Sequence, residues 1–272
     1  FEFSTTQTYM LEFSNLKIRV YKDDGSVLEG DKSISAITKA NPAVVTATGH
    51  GYENGDEVSI SGVGGMAEVN GKRFLVAGKT TNTFQLTNKD GANINSSSFT
   101  TYTSGGVSNK VFEITTPYTT AQLFDLKFAQ SADVMYITHP EHEVEKLSRT
   151  AHTAWTLTDV DFTNGPYMDA NITTTTLNPA SHTVGTGVAV VASAVTGINS
   201  GSGFLSTDIG RLVNFRDGYG KITAVADTLN ITITIIKDLG SATASADWSL
   251  GAFSDTTGHP SCVTFFEQRL VF

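Results

Sequence analysis

Few residues have types and spacings that invite chemistry. His139-Pro140-Glu141-His142, with Glu143 and Glu145 close behind, forms the histidine cluster of the chain. Imidazoles beside carboxylates are the donor set of a divalent metal. Pro140 blocks the regular helix that would bring both rings to one face, and spacing fixes no third ligand. The segment reads as a solvated loop leaving a strand over Val134 to Thr138. Cys262, the single cysteine, lies near His259, as a thiol nucleophile lies near its base. Beside the apolar Val263 it reads instead as a small buried hydrophobe, and one thiol closes no internal disulfide.

The remaining candidates thin out in the same way. His50 and His182 sit in turn-rich stretches and read as surface residues. Asp23-Asp24-Gly25 is too short for a calcium loop and reads as a hairpin turn, with Asp24-Gly25 supplying the positive φ. Gly62-Val63-Gly64-Gly65 and Gly201-Ser202-Gly203 precede no helix-like segment that could hold a pyrophosphate, so both read as loops. Sugar hydrolysis needs two facing carboxylates. Asp133, Glu141, Asp159 and Asp161 are available, but no spacing singles out a pair. Nucleophile-elbow, paired-histidine zinc and phosphate-loop signatures are missing. Tyr9, Phe13, Phe112, Phe124, Phe128, Tyr136, Trp155, Phe162, Trp248 and Phe253 could line a sugar platform, yet at strand spacing they read as core. The sequence thus assigns no catalytic, cofactor-binding or metal-ligating residue and no cofactor, and the chain is expected not to be an enzyme.

The elements that would position these residues are strands. The 272 residues are 39% hydrophobic and only 17% charged, below the usual quarter. Abundant Thr, Val, Ile, Phe and Gly argue for β structure and against bundles or long crossover helices. The net charge of -9 and pI near 5.1 argue against tight duplex recognition by counterion release. No apolar run approaches the length of a membrane span, and no signal segment opens the chain. The first and last residues, Phe1-Glu2-Phe3 and Arg269 to Phe272, fall inside strand patterns, so a longer polypeptide is expected.

Period-two alternation and turn signals divide the chain. Residues 1–33 read as a scaffold meander, with Ile18 and Val20 facing one way. Residues 34–106, punctuated by Gly and Asn, read as an inserted small β module. In 107–170 the scaffold resumes and is blade-like, with one or two helical turns over Thr119 to Phe124 that pack Ala121, Leu123 and Phe124. Residues 171–250 read as a second inserted β module with Ile231, Ile233 and Ile235 on one face. Residues 251–272 return to the scaffold. Gly71-Lys72 with Val76-Ala77 is echoed at constant offset by Gly220-Lys221 with Val225-Ala226. The expected fold is all-β: a propeller-like β scaffold carrying two small β-barrel or sandwich modules.

Four stretches carry a resemblance: "FEFSTTQTYMLEFSNLKIRVYKDDG", "ITKANPAVVTATGHGYENGDEVSISGVGGMAEVNGKRFLVAGKTTNTFQLT", "TPYTTAQLFDLKFAQSADVMYITHPEHEVEKLSRTAHTAWTLTDVDF" and "GHPSCVTFFEQRLVF". Together they resemble the tail tubular protein B, or nozzle, family of short-tailed phages and prophages. Residues 34–106 resemble the small β domain of ubiquitin-activating enzymes. Residues 172–247 match most loosely. The resemblance implies a structural virion protein, made in the bacterial host cytoplasm and placed in the virion tail. Its partners would be other copies of itself in a ring, the portal, adaptor and other tail proteins, and, non-specifically, the genomic DNA passing through. The rival expectation is a module that binds host-surface glycan.

Overall fold

The computed structural model describes residues 1–4 and 7–272. Thr5 and Thr6, within the expected 1–33 meander, lie outside the described residues. Regular structure among the described residues is strand, joined by single 3-10 turns at Ala67–Val69, Thr120–Gln122, Asn199–Gly201 and Ser206–Asp208. The fold is all-β. The described residues form two compact units, 1–120 with 149–156, and 121–148 with 157–272.

In the first unit, Met10–Ser14 pairs with Lys17–Lys22, and Glu113–Thr115 pairs with the other edge of Lys17–Lys22. Ile18 and Val20 are fully buried while Lys17, Arg19 and Tyr21 are half-buried, as alternation predicts. The hairpin turn sits one residue earlier than expected. Asp23 and Asp24 take φ of 49° and 62°, and Gly25 is already paired with Lys22. A two-residue turn of this hand needs positive φ at both centres, which short Asp side chains tolerate.

Between Lys17–Lys22 and Glu113–Thr115 the chain builds a seven-stranded antiparallel sheet. Its order is Lys32–Ser33, Val107–Lys110, Glu57–Ser61, Lys72–Ala77, Thr83–Thr87, Val44–Thr46, Ala36–Ile37. The sheet curls around a core of Val45, Val58, Ile60, Met66, Phe84 and Leu86, all fully buried. The entry and exit strands are neighbours, with Val107 opposite Ser33 and Ser108 opposite Lys32.

In the second unit, Lys127–Ser131 pairs with Val134–His139, which pairs in turn with residues 142–148 of the next strand. The helical expectation before these strands shrinks to the 3-10 turn. Phe124 is 93% exposed and Ala121 is exposed, while Leu126 is buried in their place. A six-stranded sheet follows in the order Leu177–Pro179, Gly185–Ala192, Asn230–Lys237, Gly218–Val225, Leu212–Phe215, Trp248–Leu250. Ile231, Ile233 and Ile235 point into its core with Ile222, Phe215 and Trp248. The hairpin Thr264–Phe266 with Arg269–Val271 ends the chain. The echoed motifs fall on equivalent elements: Lys72–Ala77 and Gly218–Val225 each open a hairpin, closed by Thr83–Thr87 and Asn230–Lys237.

Candidate functional site

The polar groups that the strands bring together in the first unit are structural. Arg19 Nε donates to Glu113 at 2.7 Å and Arg19 Nη2 reaches the buried Glu57 at 2.8 Å. Lys17 Nζ joins Glu113 at 2.8 Å. Burial raises the Glu113 carboxyl, but hydrogen bonds from Lys17 and Arg19 outweigh it and hold the group below its ordinary value. The cluster ties the seven-stranded sheet to the meander. Two predicted aromatics also meet as core: Tyr9 and Trp155 stand edge-to-face at 5.3 Å, with the Arg149 guanidinium 4.7 Å above the Tyr9 ring.

The second unit carries a groove of about 590 Å³ beside the six-stranded sheet. That volume lies within the range of small-ligand sites. Asp169, Asn199, Ser200, Ser202 and Arg211 line it, over Trp248. The loop that carries Asn199 and Ser200 is left-handed at both, with φ of 46° and 56°. Arg211 anchors the wall. Its guanidinium donates to the Gly251 carbonyl at 2.7 Å, to Asn199 at 2.8 Å and to Asp208 at 2.9 Å. Arg211 and Asp208 are both buried. Burial lowers the Arg211 pKa below its ordinary value although Asp208 pulls it up. Trp248 donates its indole N–H to Thr175 and keeps its face in the core. The groove therefore offers hydroxyls, amides and a carboxylate along a wall that the buried Arg211 holds in place, a set suited to hydrogen-bonding a polyhydroxylated molecule.

The predicted histidine cluster is not a solvated loop. The strands run through His139 and restart at His142, so Pro140 and Glu141 alone make the turn. His139 is buried, and its Nδ1 accepts the Glu141 N–H at 3.1 Å. His142 Nε2 faces the Gln122 amide oxygen at 3.1 Å. Burial, then the neighbouring His139, lowers the His142 pKa. Among the described residues, no three His, Cys, Asp or Glu side chains are placed to hold one metal ion.

Two further expectations are corrected. Cys262 is exposed, because the strand begins only at Thr264. His50 is buried: it packs on Tyr52 and Phe84, accepts the Tyr52 N–H at 2.9 Å and faces the Thr83 carbonyl at 3.3 Å. The flanking Gly49 and Gly51, both at positive φ, turn the chain so that the ring tucks inward, a signal the sequence did contain. His182 is exposed. Asp133, Glu141, Asp159 and Asp161 are all exposed, and Asp161 pairs with Lys221 at 3.0 Å. Sequence reasoning missed Asp208 and Arg211, whose spacing of three in a charge-poor stretch was the available signal.

Comparison with known proteins starts from this all-β class. Residues 40–111, about a quarter of the chain, match the family described as the ubiquitin-activating enzyme E1 FCCH domain. The seven-stranded sheet is thus similar to that small domain. No curated protein matches the chain. One solved structure to which the chain is similar is the phage phi92 endosialidase, at 12% identity and a TM-score of 0.21, over 96% of this chain and 51% of that one. The chain therefore spans about half the length of that structure. That neighbour is by its title an enzyme, so the expectation that this chain is not an enzyme is withdrawn. The expectation had rested on the lack of a recognisable motif, and active sites assembled from distant strands leave none. At this TM-score the likeness carries no argument about a reaction, and none is assigned. No helix among the described residues is long and apolar enough to cross a membrane.

Proposed function

We propose that the chain is a wall-forming component of a short phage tail, of the tail tubular protein B or nozzle kind. The observation that carries this reading is the FCCH-like sheet set between two paired strands of an all-β meander, the composite that the resemblance implies. The chain then divides as 1–33, 107–170 and 251–272 of scaffold, with 34–106 and 171–250 as insertions. Its partners are further copies in a ring, the portal and adaptor, and other tail proteins. Segment 107–170 holds nine acids against four bases, which is -5 of the chain's -9. Facing a channel, such a wall repels DNA phosphates and lets a genome slide. Electron microscopy of virions carrying a labelled chain is expected to place the label in the tail below the portal. Finding the chain only as free protein in the lysate would end the reading.

The groove favours a second reading, in which the 171–250 module binds host-surface glycan. Calorimetry with host surface polysaccharide is expected to give heat that Ser200→Trp, which fills the groove, removes. Absence of binding at millimolar sugar rejects it.

A further inference from the structure

The second unit holds a smaller cavity that neither reading uses. Val144, Val160, Phe162, Leu212 and Phe253 contribute apolar walls, and Glu143 contributes a carboxylate. The cavity is about 40 Å³, room for roughly three water-sized groups. A sugar ring is too large for it, and the end of one side chain is not.

Glu143 is the unusual member. It is half-buried, yet among the described residues no hydrogen bond or ion pair engages its carboxylate. Lys221, on the lining, pairs with Asp161 instead, its Nζ at 3.0 Å. His259, also on the lining, faces Asp255 at 3.1 Å. Gly210 shapes the seat. Its φ is +91°, and a Cβ there would stand 3.1 Å from Glu143 Oε1 and 4.0 Å from Lys221 Cε. Absence of that side chain leaves the carboxylate open to the cavity.

Apolar walls ending at an unengaged carboxylate complement an alkyl stem ending in a cation. A lysine or arginine side chain buries its methylenes along such walls and delivers its charge to the acid. We propose that this cavity is a docking slot for one lysine or arginine side chain presented by another protein chain. The cavity presents one unengaged carboxylate, which matches a side chain with one charged end rather than a diamine with two. The inference does not rest on the tail reading and stands or falls by itself.

The test uses the whole chain, with methyl and amide NMR shifts of Val144, Val160 and Leu212 as the readout. The probes are the N-acetyl methylamides of lysine, arginine and norleucine, with putrescine as the free-amine comparison. Saturable shifts with the lysine or arginine probe are expected. Norleucine and Glu143→Gln should each weaken binding by roughly tenfold or more, the share of a charge-assisted hydrogen bond. Gly210→Ser, which fills the seat, should weaken it as well. Three results would overturn the slot: no saturable shift at the solubility limit of the cationic probes, norleucine binding as well as lysine, or affinity unchanged in Glu143→Gln. Putrescine binding more tightly than both amino-acid probes would equally refute a protein partner.

Discussion

At the scale of single residues, the buried pair of Asp208 and Arg211 is the most demanding feature of the chain. Removing one partner strands a charge in the core. Asp208→Ala is expected to cost about 3–5 kcal/mol, read as a lower midpoint in chemical denaturation. Exchanging both for apolar residues, Asp208→Leu with Arg211→Met, should recover most of that loss. A single-variant cost near zero would mean that water reaches the guanidinium. Glu113 sets a pH dependence with a definite sign. Its folded pKa lies below its unfolded value of 4.5, so its contribution is fully present above that value. The contribution is lost as pH falls through the lower folded value. Acid unfolding curves of Glu113→Gln should therefore be flatter than those of the parent below about pH 4.5, and identical slopes would contradict the ion cluster. The spacing of Asp208 and Arg211 was a signal the sequence held, whereas the partners of Glu113 and Glu57 were not legible in it. Arg19 and Glu57 are far apart along the chain, and only the folded strands bring them to 2.8 Å.

At the scale of elements, alternation was legible because a strand turns successive side chains to opposite faces. Ile18 with Val20, and Ile231 with Ile233 and Ile235, could be assigned to the core on that ground alone. The central strand Asn230–Lys237 shows what the pattern is worth. Ile233→Ala should cost about 2–5 kcal/mol, while Thr234→Ala on the other face should stay within about 1 kcal/mol. Thermal unfolding of both variants checks the contrast, and equal losses would mean that both faces are covered. Turns were less legible. Asp-Gly and Asp-Asp both accept positive φ, so local chemistry left the hairpin register open by one residue, and cross-strand pairing decided it. The stretch after Pro117 carried apolar residues without a regular period, which is why Phe124 was expected to pack and Leu126 does so instead.

At the scale of the whole molecule, charge and class were readable while the chemistry was not. The net charge of -9 predicts that duplex DNA fragments run unretarded with the protein in gel shifts, even at low salt. Retention that strengthens as salt falls would reveal a basic surface that the average hides. The groove over Trp248 and the small cavity beside Glu143 were invisible in the sequence for one physical reason. Each is assembled from short segments of distant strands and loops, with one residue or two from each. A concavity of that kind has no spacing of its own.

The side-by-side pairing of Ser33 and Val107 has a consequence of its own. The polypeptide departs from the meander and comes back to nearly the same point, about 5 Å away. What lies between must bring its ends back together, pair with Val107–Lys110 and meet Arg19 with a carboxylate as Glu57 does. A replacement segment that meets those conditions is expected to leave the pairing of Lys17–Lys22 with Met10–Ser14 and Glu113–Thr115 in register.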